Sequence, residues 1–188
     1  MKKNLFLALS LFVTTMASAQ VSVQLGYLLS TQKLKTAAEK SSDSYSGIMA
    51  SADYSLNLTG NLYVTPGLGL DYSFDNSDGC KYKELGLFVP VDVNYCFPIS
   101  DDVSLSVFAG PTLYYGILSK DTSTNPSYNY YDNDYRRFEV LLGGGLWCDI
   151  QETIRVKAAY KFGLTNTSKI TDFTNKNNCL YLSVGYLF

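Results

Sequence analysis

From Val21 to Leu29 the chain alternates. Val21, Val23, Leu25, Tyr27 and Leu29 share one face, while Ser22, Gln24 and Gly26 share the other. A period of two marks an extended strand with one apolar face. The pattern that opens over about 20–29 returns over 45–58, 62–74, 82–97, 103–117, 137–150, 154–164 and 180–188, which predicts eight strands. The connections alternate too. Segments 30–44, 75–81, 118–136 and 165–178 are longer and polar, whereas 59–61, 98–102 and 151–153 are turn-sized. Short turns join antiparallel neighbours, so the series reads as an up-and-down meander. If Ile150 opposes Ile154 across its turn, Asp149 opposes Arg155, and a cross-strand ion pair is predicted there. Pro66 and Pro111 fall on the apolar face and Pro90 on the other, each predicting a bulge or a local break.

The apolar face runs to the last residue through Leu180, Leu182, Val184, Tyr186 and Phe188. An open edge of this kind is a template for aggregation. A closed wall in lipid needs it and pairs it on both sides. Aromatic residues sit near the strand ends: Tyr27, Tyr72, Phe74, Tyr115, Phe138 and Phe162 toward the long loops, Tyr54, Tyr95, Phe97, Tyr186 and Phe188 toward the tight turns. Two such girdles suit the two membrane interfaces. The fold class expected is therefore all-β, an eight-stranded antiparallel up-and-down transmembrane β-barrel with both termini on the tight-turn side. Its other face would turn Asp53, Asp71, Glu84, Asp92, Arg137, Glu139, Asp149, Arg155, Lys157 and Lys161 inward. Barrels of this size are just filled by side chains, and buried charges need partners, so a paired interior plug is expected.

Residues 1–19 read as a secretory signal peptide: Lys2 and Lys3, an apolar run from Leu5 to Val13, and a small-residue site at Ala17-Ser18-Ala19. That leaves 20–188 as a single barrel domain. Without Lys2 and Lys3 the chain keeps 13 of its 15 basic residues against 17 acidic ones, so no basic surface for nucleic acid is expected. The sequence contains no histidine. A serine nucleophile needs a base within reach, and no paired carboxylate constellation replaces it, so no catalytic residue is assigned and no enzyme is expected. No metal site or cofactor is expected, since Cys-x-x-Cys and His are both missing. Cys80 and Cys179 share the long-loop side, where they are either bonded or free thiols. Cys96 points inward and Cys148 outward, which disfavours that pairing. The 118–136 loop holds Tyr128, Tyr130, Tyr131 and Tyr135, candidate contacts for an extracellular partner if the loop is more than a solvated ribbon. Asp132-Asn133-Asp134 lacks the remaining positions of a calcium loop.

The last strand, ending in Phe188 with an apolar residue at every second position before it, resembles the C-terminal signature of bacterial outer-membrane β-barrels. The resemblance implies that Leu180, Leu182, Val184, Tyr186 and Phe188 are read by the barrel-assembly machinery. Leu87-Phe88-Val89-Pro90-Val91-Asp92-Val93-Asn94-Tyr95 is similar to a motif of the small barrels called PorT-like. Phe108-Ala109-Gly110-Pro111, Gly143-Gly144-Gly145 and Tyr160-Lys161-Phe162-Gly163-Leu164 look like that family's later blocks. The likeness implies a barrel of OmpX or OmpA size in the outer membrane, with periplasmic termini, in contact with outer-membrane lipid and lipopolysaccharide. It does not imply one activity. A structural or surface-interaction barrel with a filled lumen and outward loops is the first expectation. A narrow porin-like conduit for small or apolar solutes is the alternative. A soluble lipocalin-like carrier fits less well, because it needs an apolar inside.

Overall fold

A computed structural model describes residues 20–35, 40–75, 82–121, 129–171 and 173–188. The predicted leader 1–19, Cys80 and Tyr128 lie outside the described residues. Eight strands are present: β1 (Gln20–Lys35), β2 (Lys40–Thr59), β3 (Leu62–Asp75), β4 (Tyr82–Pro98), β5 (Val103–Asp121), β6 (Phe138–Ile150), β7 (Ile154–Gly163) and β8 (Thr174–Leu187). A short helix, α1 (Tyr130–Asn133), lies between β5 and β6. Each strand pairs antiparallel with the next, and β1 pairs with β8 (Val23 opposite Tyr186) to close the barrel.

The alternation read from the sequence sets the two sides of the wall. Val23, Leu25, Ile48, Leu68, Val93, Leu146, Val184 and their like are exposed on the outside. Ser22, Gln24, Asp53, Asp92 and Arg155 are buried inside. A soluble carrier would need the reverse polarity. The outward aromatics fall at two heights: Tyr27, Phe74, Tyr115, Phe138 and Phe162 near the long loops, and the adjoining pairs Tyr95–Phe97 and Tyr186–Phe188 near the turns. At the 59–61 turn Gly60 takes φ 53°, and its carbonyl accepts from Asn57 Nδ2 at 2.7 Å. The 151–153 turn places Gln151 (φ 52°) and Glu152 (φ 50°) in the left-handed region, closed by Thr153 N–H donating to the Ile150 carbonyl at 3.0 Å. That is a type I′ arrangement, usually reserved for Asn-Gly.

Several strands outrun their predicted ends. β1 and β2 stay paired up to Lys35 opposite Lys40, and β8 begins at Thr174 rather than Leu180. Above the apolar band both faces are polar, so the period of two disappears from the sequence while the backbone ladder continues.

Of the two outcomes expected at the prolines, the structure shows the local break and not the bulge. Pairing lapses after Pro66 and between Pro90 and Val93, but resumes in the same register. The true register shifts lie between Asn57 and Thr59 and between Leu85 and Gly86. A proline removes a donor without adding a residue, whereas a bulge needs the extra residue. The second bulge sits at Ile117 in β5. Past it Ser119 turns inward and is buried.

Candidate functional site in the barrel lumen

The inward positions build two clusters stacked along the barrel. At the tight-turn end Asp149 and Arg155 oppose each other across the β6–β7 hairpin. Arg155 donates from Nε to Asp149 Oδ1 at 2.7 Å and from Nη2 to Oδ2 at 2.8 Å. Its guanidinium lies 4.3 Å from the Trp147 ring centre, and Trp147 stacks on Phe108 at 4.9 Å. Bidentate pairing and a cation over an aromatic face both suit arginine. Further in, Lys161 donates to Asp92 Oδ1 at 2.6 Å across the lumen, while Lys157 lies 3.4 Å from Asp53 and 3.7 Å from Asp92. Gln24 joins this network, donating to Asp53 and accepting from Ser183 at 2.8 Å. A cavity of about 30 Å³ lies among Asp53, Asp92, Thr112, Lys157, Lys161 and Tyr181. It is of water size.

The cluster toward the long loops uses other chemistry. Glu84 accepts from three phenols: Tyr131, Tyr114 at 3.2 Å and Tyr82 at 2.6 Å. Tyr114 also reaches Asp71 at 3.1 Å. Glu139 accepts from Asn177 Nδ2 at 2.8 Å and from its backbone N–H at 3.3 Å. The described residues place no lysine or arginine on any of these three carboxylates. Two of the rings are seated on glycines: a Cβ on Gly86 would meet the Tyr114 ring at 2.2 Å, and one on Gly116 would meet the Tyr131 ring at 2.0 Å. The absent side chains let the aromatics lie flat against the wall.

Tyr131 reaches the lumen because α1 caps it. The Asn129 side chain accepts from Tyr131 N at 3.2 Å and from Ser119 N at 3.1 Å, tying the helix to the end of β5. Lys169, in the β7–β8 connection, donates to the Tyr131 and Asp132 carbonyls at 3.0 Å each. Burial and the adjacent Glu84 carboxylate hold the Tyr131 phenol well above its usual range, so it stays a donor. Two loops thus form a lid on this end.

Two sequence expectations need correction. Tyr131 is not a surface contact, since its side chain is buried in the barrel mouth where Glu84 offers an acceptor. Arg137 does not face the lumen. It precedes β6 and pairs with the exposed Asp132, with carbonyls of the bulged β5 end also within reach. Tyr130 and Tyr135 remain half-exposed, with ring centres 6.1 Å apart. Cys96 lines the tight-turn end of the lumen, Cys148 faces outward, and Cys179 is a buried free thiol. Tyr82, Tyr114 and Asn177 were missed because they carry no charge. Tyr114 was legible as an inward position of the fifth strand, but Asn177 lay in a stretch read as loop.

At the tight-turn end the lumen widens into a chamber of about 430 Å³. Trp147 and Arg155 are among its walls, and Asp101, Asp102 and Glu152 stand at its rim.

The description "outer membrane protein beta-barrel domain" matches residues 5–188. Among curated proteins no sequence relative matches the chain. Similar solved structures include Ail, the attachment invasion locus protein of Yersinia pestis, in complex with the heparin analogue sucrose octasulfate (17% identity, 90% of this chain and 99% of that one, TM-score 0.46). Neisserial surface protein A is similar at 14% identity over 89% and 95%, with TM-score 0.50. The outer membrane enzyme PagL is similar at 12% identity over 86% and 98%, with TM-score 0.44.

Proposed function

The chain belongs to the outer-membrane β-barrel family, and from that premise we propose that it works as a non-conducting surface barrel. Its wall meets outer-membrane lipid and lipopolysaccharide, and its loops meet the environment. The observation that carries this reading is the filled lumen. Trp147, Phe108, Phe88, Tyr181, Tyr114 and Tyr131 are buried along it, and α1 covers the end toward the long loops. An eight-stranded barrel has room for side chains or one small ligand but not both along its length. The general pattern of long loops outside and short turns in the periplasm supports periplasmic termini for this barrel. The half-exposed Tyr130 and Tyr135 are loop aromatics on the side that would meet an outside partner. Phe188, 74% exposed at the end of β8, is available to the assembly machinery. The lack of histidine supports a non-catalytic role.

Planar-bilayer recording of the purified barrel tests this. The expected result is a silent membrane, and steady unitary steps would overturn it in favour of the conduit. The chamber at the tight-turn end is what favours that second reading, since it already opens part of the path.

A further inference from the structure

The outer wall has a charge pattern of its own. At the long-loop end every charged residue on the outward register of the described strands is a lysine: Lys33, Lys35 and Lys40 on β1 and β2, Lys83 opposite Lys120 on β4 and β5, and Lys176 on β8. Asp43 and Asp75 of the same strand ends fall on the inward register, opposite Gln32 and Tyr82. The tight-turn end is the reverse. Asp101, Asp102 and Glu152 are exposed there, and among the described residues no lysine or arginine is.

One part of this collar is built into the wall. Lys33 and Lys176 are direct ladder partners across the β1–β8 seam, a like-charged pairing that repels itself. Among the described residues neither forms an ion pair with a carboxylate. Asn178 lies one outward position below Lys176, yet it is only 7% exposed. Its amide oxygen accepts from Lys33 Nζ at 2.8 Å and from the Tyr160 hydroxyl at 3.1 Å. The ladder partner of Asn178 is Thr31, so the Lys33 amine is drawn down toward the apolar band. A lysine at an interface ordinarily reaches up to water. Beneath it Leu29 pairs with Leu180, and Tyr27 with Leu182, the latter two exposed to lipid. Opposed side chains start about 5 Å apart, so both ammoniums can close on one oxyanion. Their two charges match a phosphomonoester, which carries about −1.5 to −2 near pH 7.

We propose that the β1–β8 seam binds the phosphomonoester headgroup of an outer-leaflet glycolipid, with the phosphate between Lys33 and Lys176 and the acyl chains along Leu29, Leu180, Tyr27 and Leu182. The assignment rests on the reading above that the long-loop end lies in the outer leaflet, and gives the lipid contact a place.

The full barrel in detergent micelles is mixed with bisphosphorylated lipid A, and bound lipid is followed by native mass spectrometry. Phosphatidylglycerol and inorganic phosphate are the comparison probes. The expected result is a saturable lipid A adduct, tighter than that of phosphatidylglycerol and not displaced by inorganic phosphate. Lys33→Gln with Lys176→Gln, both on the outer wall, should weaken it about tenfold or more. Lys83→Gln with Lys120→Gln removes the same charge elsewhere on the collar and should leave it largely unchanged. Equal losses from the two pairs, or no adduct at all, overturn the site. Displacement by inorganic phosphate, or phosphatidylglycerol binding as tightly as lipid A, overturns the glycolipid assignment. Micelles have no sidedness, so the titration fails only with the site. A Thr171→Cys barrel that whole cells hide from an impermeant maleimide would instead overturn the outer-leaflet placement, since Thr171 is exposed in the β7–β8 connection.

Discussion

The two halves of the lumen solve one problem in different ways. Near the tight turns, Asp53, Asp92 and Asp149 are matched by Lys157, Lys161 and Arg155. Near the long loops, Asp71, Glu84 and Glu139 are surrounded by phenols and amides, with no cation among the described residues that touch them. Both arrangements give buried carboxylates their hydrogen bonds, but the consequences of losing a partner differ. Deleting one member of an ion pair strands a charge, which costs far more than the pair itself contributes. A phenol can rotate its proton to suit a changed neighbour, because it both donates and accepts. The lower half should therefore be intolerant of single changes, and the upper half forgiving.

The harshest test of that contrast is Arg155→Met. It leaves Asp149 facing the lumen without its fork and removes the cation over Trp147. The expected loss is about 3–5 kcal/mol, read as a shift of the urea midpoint for unfolding from lipid vesicles, followed by circular dichroism. Adding Asp149→Asn to the same chain should restore a substantial part of it. If the double variant is as unstable as the single one, packing around Trp147 rather than stranded charge sets the cost.

Next comes Asp92→Asn, which halves the counter-charge for Lys161 and Lys157 while keeping the shape. A cost of about 2–3 kcal/mol is expected in the same assay. This residue also shows how far the sequence could be read. Its inward direction followed from a period of two on the fourth strand, and the Asp149–Arg155 pair followed from counting back from a three-residue turn. Both are local inferences. That Lys161 on β7 meets Asp92 on β4 depends on barrel diameter and strand stagger, which no single strand encodes. The phenol cluster was less legible still. Tyr131 comes from a loop, and its place in the lumen depends on a bulge at Ile117 and a glycine at position 116. Glycine appears in a sequence as an absence, so the notch it makes is visible only once the neighbouring ring is in view.

Glu84→Gln sharpens the comparison from the other side. It neutralises a carboxylate buried to about the same degree as Asp92, yet its partners are three hydroxyls. Tyr82, which also contacts Ser119 at 3.0 Å, can turn its proton there and accept from the new amide. The expected cost is at most about 1 kcal/mol, the net worth of an ordinary hydrogen bond. A loss as large as that for Asp92→Asn would mean that the upper cluster depends on charge after all.

The smallest effect belongs to Tyr131→Phe, and where it appears matters more than its size. The ring keeps its seat on Gly116, so packing is retained, while Glu84 loses one of three donors. A cost of about 0.5 kcal/mol is expected, but it should fall on the lid rather than on the barrel. The ladder holding the wall does not pass through α1, whose ties include Asn129 to β5, Arg137 to Asp132 and Lys169 to the helix carbonyls. Amide hydrogen exchange should therefore quicken over 129–137 and 164–170 and at the lid-bound β5 amides of Gly116 and Ser119, with the strand amides of β4 and the rest of β5 unchanged. Uniform quickening along the strands would show that the phenol anchors the barrel itself. No change anywhere would show that Tyr82 and Tyr114 suffice for Glu84, and that the lid is held by its backbone contacts alone.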